Sequence, residues 1–169
     1  MSWGPGGLLY KRDLKGAFRQ FSIDPGDYSL TGVSWEGGIY LDTRLAMGLR
    51  SASYCCQSVT ELVAKIVRRK AHVLVYLDDF GGAELPGKAR ESFGYLGWVL
   101  RHCGLKEAPE KAVAPASEMD WLGVRFNTVE WSMSLKPSKL QELLVWLPRL
   151  LKLRRVKKVL LQKVLGSLV

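Results

Sequence analysis

Two adjacent carboxylates, Asp78 and Asp79, directly follow a short apolar run at residues 72–76. The run is rich in β-branched residues and is typical of a buried strand. Neighbouring carboxylates repel each other, so in an apolar setting both ionise only where a cation or a hydrogen-bond network compensates them. Magnesium, which takes oxygen ligands, is the obvious compensator. The sequence therefore predicts a metal site at a strand turn, of the kind that handles phosphates.

A third carboxylate, Asp13, stands near the end of another strand-like run at residues 8–14, 65 positions before Asp78. If the two strands are neighbours, the three carboxylates meet at one edge of the sheet and can hold two divalent ions about 4 Å apart. Taken alone, Asp13 also suits a solvated or helix-capping position. The Asp pair also suits a simple turn, because Gly81 and Gly82 follow it closely.

The order of the predicted elements indicates an α+β domain with a mainly antiparallel sheet and an α-helical C-terminal appendage. After the first strand we expect a hairpin with arms at 31–35 and 39–43, a helix beyond Gly48, the strand at 72–76 and a helix from Pro86 to Gly104. Two strands at 119–126 and 131–135 follow. A last pair of helices begins with a capping box of Ser138 and Gln141 and is broken at Pro148.

The charge of the chain is concentrated at its end. The 169 residues carry a formal net charge of +9, and the part from residue 149 onward holds seven basic residues and no acidic one. Such a surface favours a polyanionic partner, although a basic helix face can also serve solubility alone. The basic residues are Arg149, Lys152, Arg154, Arg155, Lys157, Lys158 and Lys163.

Cysteine and histidine usage argues against a disulfide framework or a zinc site, since three Cys and two His occur with no matching spacing. There is no apolar run long enough to span a bilayer and no leader-like start. We therefore expect a soluble protein with reduced thiols, cytoplasmic or nuclear, without a membrane partner. Its abrupt opening predicts a fragment of a longer protein.

Five segments in register resemble the palm domain of reverse transcriptases, most closely the retrotransposon enzymes of the DIRS type. They are Asp-Leu-Lys-Gly-Ala-Phe at 13–18, the segment 45–57 that ends in Gln57, Tyr-Leu-Asp-Asp at 76–79, Gly-Leu at 104–105 followed by Lys111, and Trp-Leu-Gly at 121–123. The resemblance implies a polymerase palm-like fold with the start of a helical thumb. The domains would then be an irregular segment 1–7, a palm 8–136 and a partial thumb 137–169.

The resemblance also implies roles for the acidic residues. Asp13, Asp78 and Asp79 would bind two Mg²⁺ ions, with Mn²⁺ as an alternative, and the Leu14 carbonyl would add a ligand. Lys111 would either donate a proton to the pyrophosphate or be a surface lysine.

Further roles concern the substrates, which would be a primed RNA or DNA template and deoxynucleoside triphosphates. Phe18 would stand under the sugar and select deoxynucleotides, or belong to the core. Gly48, Gln57 and Tyr76 would also lie at the nucleotide. The primer strand would be held by Trp121, Leu122 and Gly123, and the basic end would follow the duplex backbone.

Three functions remain open at this point. The first is RNA-directed DNA polymerase activity, and the second is a non-catalytic nucleic-acid-binding remnant of a retrotransposon polymerase. The third, a magnesium phosphohydrolase of another fold, fits less well. No second Asp follows Asp13 by two residues, and no Ser or Cys nucleophile stands beside a base.

Overall fold

A four-stranded antiparallel sheet in the order β4-β5-β1-β6 lies at the centre of the computed structural model, which describes residues 5–152 and 155–168. Its strands are β1 (Leu8–Asp13), β4 (Val73–Tyr76), β5 (Asp79–Glu84) and β6 (Val113–Ala116). The remaining elements are β2 (Gly32–Trp35), β3 (Gly38–Leu41), α1 (Ala52–Val67), α2 (Pro86–His102), β7 (Glu118–Trp121), β8 (Val124–Asn127), β9 (Ser132–Leu135), α3 (Pro137–Leu151) and α4 (Lys158–Leu168). Short 3₁₀ helices cover Ala17–Gln20, Pro25–Thr31 and Pro109–Lys111.

The two faces of the central sheet have different environments. Successive side chains of a strand point to opposite faces, and α1 and α2 pack on only one of them. On that helix-covered face the largest fully buried side chains include Tyr10, Phe80 and Leu96. On the other, open face Leu74 and Tyr76 are 61% and 58% exposed. This mixed α+β arrangement with antiparallel strands confirms the predicted fold class.

Strand β5 occupies residues for which the sequence indicates no strand. It contains Gly81 and Gly82, which weaken a strand unless something approaches the backbone closely. Both glycines are covered by aromatic rings. A Cβ atom built on Gly82 would lie 2.3 Å from Cζ of Tyr10, and one on Gly81 would lie 2.7 Å from Cε2 of Trp121. The glycines are therefore packing positions inside a strand.

The two long helices agree with the sequence pattern. Helix α1 buries Cys56, Val63 and Val67 along one side, as an amphipathic helix on a sheet should. Helix α2 begins with Pro86 in its first turn and is followed by Gly104 at φ 74°, the left-handed conformation that commonly ends a helix.

The expected single strand at 119–126 is wrong. The chain turns back at Leu122 and Gly123, which have φ angles of 50° and 82°, so β7 and β8 form a hairpin and β9 completes a three-stranded meander. Two successive positive φ angles are typical of the tight turns that join adjacent antiparallel strands. The sequence does not indicate this turn, because Leu122 is apolar and apolar residues are not typical of turns.

Helix α3 corrects two further expectations. Pro137 occupies the first turn, where its missing N–H costs nothing, so Ser138 lies inside the helix and no side-chain cap forms. Pro148 lies within α3 and does not end it. Only three residues of the helix follow it, so few backbone bonds are at stake there.

No helix among the described residues is both long and apolar enough to cross a membrane. Of the segment 1–7 predicted to be irregular, residues 1–4 lie outside the described residues.

Candidate active site

The carboxylates at the adjoining ends of β1 and β5 lie side by side on neighbouring strands of the sheet. Asp13 is the last residue of β1 and Asp79 the first of β5, and the two are direct partners in the antiparallel register. Asp78 precedes β5 in the turn, and its carbonyl accepts a hydrogen bond of 3.1 Å from the N–H of Leu14. The expected pairing of the strands at 8–14 and 72–76 is wrong, because β5 lies between β1 and β4. Asp13 and Asp79 come together instead because Asp79 begins β5, the strand that pairs with β1.

The turn that presents these carboxylates is braced by helix α1. Leu77 has a positive φ of 54°, an uncommon conformation for a branched residue. Its backbone N–H donates to Oε1 of Gln57 at 2.7 Å, while Nε2 of Gln57 donates to the carbonyl of Val75 at 3.2 Å. Gln57 thus uses both ends of its amide to hold the strand end and the turn, whereas its contact with a nucleotide stays a prediction.

The charge on Asp79 is incompletely compensated. Burial raises the pKa of its carboxyl, the charge of Lys11 opposes that effect, and the charges of Asp13 and Asp78 raise the pKa further. The Oδ1 atom of Asp79 is buried without a hydrogen-bond partner, and the cation paired with it, Nζ of Lys11, lies 3.6 Å away. An unpaired buried carboxylate oxygen is costly, so this atom is a natural acceptor for a cation.

Lys111 contacts the same carboxylate cluster through Asp13. Its Nζ donates to Oδ1 of Asp13 at 3.1 Å, and this bond together with the charges of the three carboxylates raises the pKa of Lys111. The short helix Pro109–Lys111 is fixed beside β1 because the N–H of Ala108 donates to the carbonyl of Asp13 at 2.8 Å. The lysine named in the sequence analysis therefore lies at the carboxylates.

The donor atoms suit a magnesium ion in their chemistry, since carboxylate oxygens are its preferred protein ligands and Oδ1 of Asp79 has no hydrogen-bond partner. They are not assembled into a ready site. Within residues 5–152 and 155–168, no three His, Cys, Asp or Glu side chains are arranged so that they could hold a metal ion. Asp13 and Asp79 instead each have a lysine beside them.

Trp121 brings the β7–β8 hairpin onto the open face. Its indole covers Gly81, two residues beyond Asp79 on the same face, and its Nε1 is buried without a hydrogen-bond partner. Leu122 and Gly123 form the tip of this hairpin. Gly81 was missed as a site residue, although a glycine inside a strand is the sequence signal of close approach.

An apolar cavity of about 560 Å³ adjoins this contact. It lies beside the open face between the central sheet and the meander, with Leu74, Met119, Trp121 and Phe126 among its lining residues. Nothing in the sequence pattern pointed to it, because its walls come from strands far apart in the chain.

The predicted nucleotide-binding residues occupy different surroundings. Tyr76 is the register partner of Asp79 and lies exposed on the open face. Phe18 belongs to the Ala17–Gln20 3₁₀ helix and is partly buried against the core. Gly48 has a φ of 100°, which only glycine adopts without strain. These positions do not test the nucleotide-binding roles of the three residues, which stay predictions.

The basic end of the chain is exposed where the structure describes it. Arg154 lies outside the described residues. The other cations predicted to contact the nucleic-acid backbone are all solvent-exposed, namely Arg149, Lys152, Arg155, Lys157 and Lys158.

Comparison with known proteins places this geometry in context. No family model matches the chain, and no curated protein matches it. A foamy viral protease-reverse transcriptase in complex with double-stranded DNA superposes with a TM-score of 0.76 at 17% identity, covering 95% of this chain and 26% of that one. The same kind of enzyme with an RNA/DNA hybrid gives 0.75 at 18% identity, covering 95% and 20%.

The native prototype foamy virus protease-reverse transcriptase is similar with a TM-score of 0.63 at 20% identity, covering 95% of this chain and 26% of that one. At such identities the likeness establishes a reverse-transcriptase-like fold. The chain spans only about a fifth to a quarter of the length of these three structures.

Proposed function

We propose that this chain is the catalytic core of an RNA-directed DNA polymerase, which adds deoxynucleotides to a primer on an RNA or DNA template. The observation that carries the proposal is the pairing of Asp13 with Asp79 on the open face of a reverse-transcriptase-like fold, with Asp78 in the adjoining turn. The closer kinship with DIRS-type retrotransposon enzymes rests on the sequence motifs. An intracellular location, in the cytoplasm or nucleus, is part of the proposal and is supported by the low cysteine content.

Two divalent ions, held by Asp13, Asp78, Asp79 and the Leu14 carbonyl, would lower the pKa of the attacking primer hydroxyl and neutralise the leaving pyrophosphate. The protein itself positions the reactants and compensates charge. Lys111, already bonded to Asp13, is placed to supply a proton to the pyrophosphate. A lysine is protonated at neutral pH at its ordinary pKa, and the raised pKa of Lys111 means that the carboxylates make it hold that proton more tightly.

The remaining residues position the substrates. The aromatic ring of Phe18 would exclude a 2′-hydroxyl and so select deoxynucleotides. The exposed ring of Tyr76 and the backbone at Gly48 would contact the nucleotide and template, and Gln57 would keep the turn in place. The hairpin tip would hold the primer near its 3′ end with Trp121, Leu122 and Gly123.

Nucleic-acid binding is supported by two features. The similar foamy viral structures contain double-stranded DNA and an RNA/DNA hybrid. The exposed cations from Arg149 to Lys158 provide the positive charge that a phosphate backbone requires.

Primer extension tests the proposal. The purified chain, with Mg²⁺ or Mn²⁺, is expected to extend a primed RNA or DNA template with deoxynucleotides. Asp79→Asn should abolish extension, whereas Asp27→Asn, which alters an exposed carboxylate on the Pro25–Thr31 helix, should leave it unchanged. Failure to extend, persisting after the fingers and thumb of a foamy viral enzyme are fused to the chain, would refute the proposal.

A second candidate is a non-catalytic nucleic-acid-binding remnant, which is favoured by the lack of a preassembled metal-ligand group among the described residues. In that case salt-sensitive, sequence-independent binding would survive Asp78→Ala while no extension occurred with any metal. Charge-neutral variants of the basic end that bind as well as the parent would exclude it.

A further inference from the structure

Lys11 belongs to the carboxylate site, whereas the adjacent cation Arg12 does not. Side chains alternate along β1, so Lys11 and Asp13 share the open face while Arg12 points to the helices. There Arg12 is fixed by a 3.1 Å hydrogen bond from Nε to the carbonyl of Phe93 and by an ion pair with Glu107. Lys11 is therefore the cation of this strand that faces the acidic groups.

The ammonium of Lys11 stands close to the unpaired oxygen of Asp79. Nζ lies 3.6 Å from Oδ1, and the two side chains are only 18% and 21% exposed. The separation is too long for a good hydrogen bond but well within the range of an ion pair. Lys11 thus compensates the charge of this oxygen without satisfying its hydrogen-bonding capacity.

We propose that Lys11 is an internal counter-ion that takes the position of a divalent cation at Asp79 and must leave it when such a cation binds. The inference rests on the proposed function, because it concerns the cation site of that function. Three carboxylates with two lysines carry a net charge of −1, and without Lys11 they would carry −2. The ammonium therefore lowers the affinity of the site for divalent cations.

The β7–β8 hairpin lies on the same face as Lys11. The ring of Trp121 covers Gly81, and Gly81 is the register partner of Lys11. The charge of Lys11 also contributes to lowering the pKa of Asp120 on β7, after the larger effects of Arg125 and Lys136.

Binding of Mn²⁺ alone to the full chain tests this assignment, with free Mn²⁺ followed by electron paramagnetic resonance. The site is defined as the binding that Asp79→Asn removes. Lys11→Met is expected to bind Mn²⁺ roughly tenfold more tightly than the parent, because one opposing charge is gone. Lys11→Arg, which keeps the charge, should bind like the parent.

Lys88→Met is the matched control, since it removes the same charge from the exposed surface of α2 and should leave the dissociation constant unchanged. Equal or weaker Mn²⁺ binding by Lys11→Met, with normal binding by the parent, would overturn the role of Lys11 and leave the metal proposal standing. Absence of Mn²⁺ binding in parent and variants alike would overturn both. If Lys11→Met does not fold, as judged by circular dichroism, Lys11→Gln replaces it with the same expectations.

Discussion

Replacing Gly81 by alanine places a methyl group where the indole of Trp121 now lies. The new Cβ would be 2.7, 2.9 and 3.0 Å from three ring atoms, Cε2, Cζ2 and Cδ2. Carbon atoms in contact are ordinarily separated by about 3.5–4.0 Å, so the ring must retreat by roughly 1 Å. Overpacking of this kind typically costs about 1–3 kcal/mol, and we expect a loss of that size in the free energy of unfolding.

Urea denaturation of four proteins measures this cost as a double-mutant cycle. Gly81→Ala should be destabilised, but in the background of Trp121→Leu, which removes the ring, the same change should cost much less. Gly94→Ala serves as the control, since Gly94 lies inside α2 with nothing within 4 Å of its would-be Cβ. It should be neutral or stabilising by up to about 1 kcal/mol.

Two results would refute the reasoning. Gly81→Ala could prove as stable as the parent, or the two substitutions could add without coupling. Either result would mean that the indole does not lie on Gly81, and the placement of the β7–β8 hairpin on the open face would lose its support.

Three further predictions concern the turn, the buried charge and the basic end. Gln57→Ala should lower the free energy of unfolding by about 1–3 kcal/mol, because two turn hydrogen bonds are lost. The exposed control Ser58→Ala should change the free energy of unfolding by less than about 0.5 kcal/mol. The pKa of Asp79 is raised in the folded chain, so its folded form binds a proton more tightly than the unfolded form. Its contribution to stability is then most favourable below the ordinary pKa of 3.8 and declines as the pH rises through the raised value. The melting temperature of Asp79→Asn minus that of the parent should accordingly increase with pH over that window, and a flat difference would contradict it. The last prediction replaces four cations of the basic end by glutamine, namely Arg149, Lys152, Arg155 and Lys157. Filter binding to duplex nucleic acid at several salt concentrations should then show a slope of log K against log salt that is smaller by about 0.9 for each phosphate contact removed. An unchanged slope would mean that these cations do not contact the backbone.

Part of the site follows from the sequence because alternation and strand ends are local properties. An Asp near the end of each of two strands predicts convergence if those strands pair. The actual pairing differs, because Asp13 lies opposite Asp79 of β5, a strand that the sequence does not indicate. Alternation along β1 places Lys11 on the face of Asp13 and Arg12 on the opposite face. It does not say which of these faces the helices cover, because that depends on where α1 and α2 pack.

The features that escaped the sequence depend on contacts between distant segments. Gly81 and Gly82 resemble turn residues, and only the rings of Trp121 and Tyr10, which lie 40 and 72 positions away in the chain, explain their place in β5. The tight turn at Leu122 carries an apolar residue at a positive φ, against its local preference. Pro148 stays helical because it lies close to the end of α3.

The central claim is that Asp13, Asp78 and Asp79 together hold divalent cations where β1 ends and β5 begins. A crystal structure of the chain grown with Mn²⁺, with anomalous diffraction collected at the manganese edge, tests it most directly. The account predicts an anomalous peak between the carboxylates of Asp13 and Asp79, with the ammonium of Lys11 withdrawn from Oδ1. A peak elsewhere with no density at these carboxylates, or an Asp13 side chain on the opposite face of the sheet from Asp79, would contradict it.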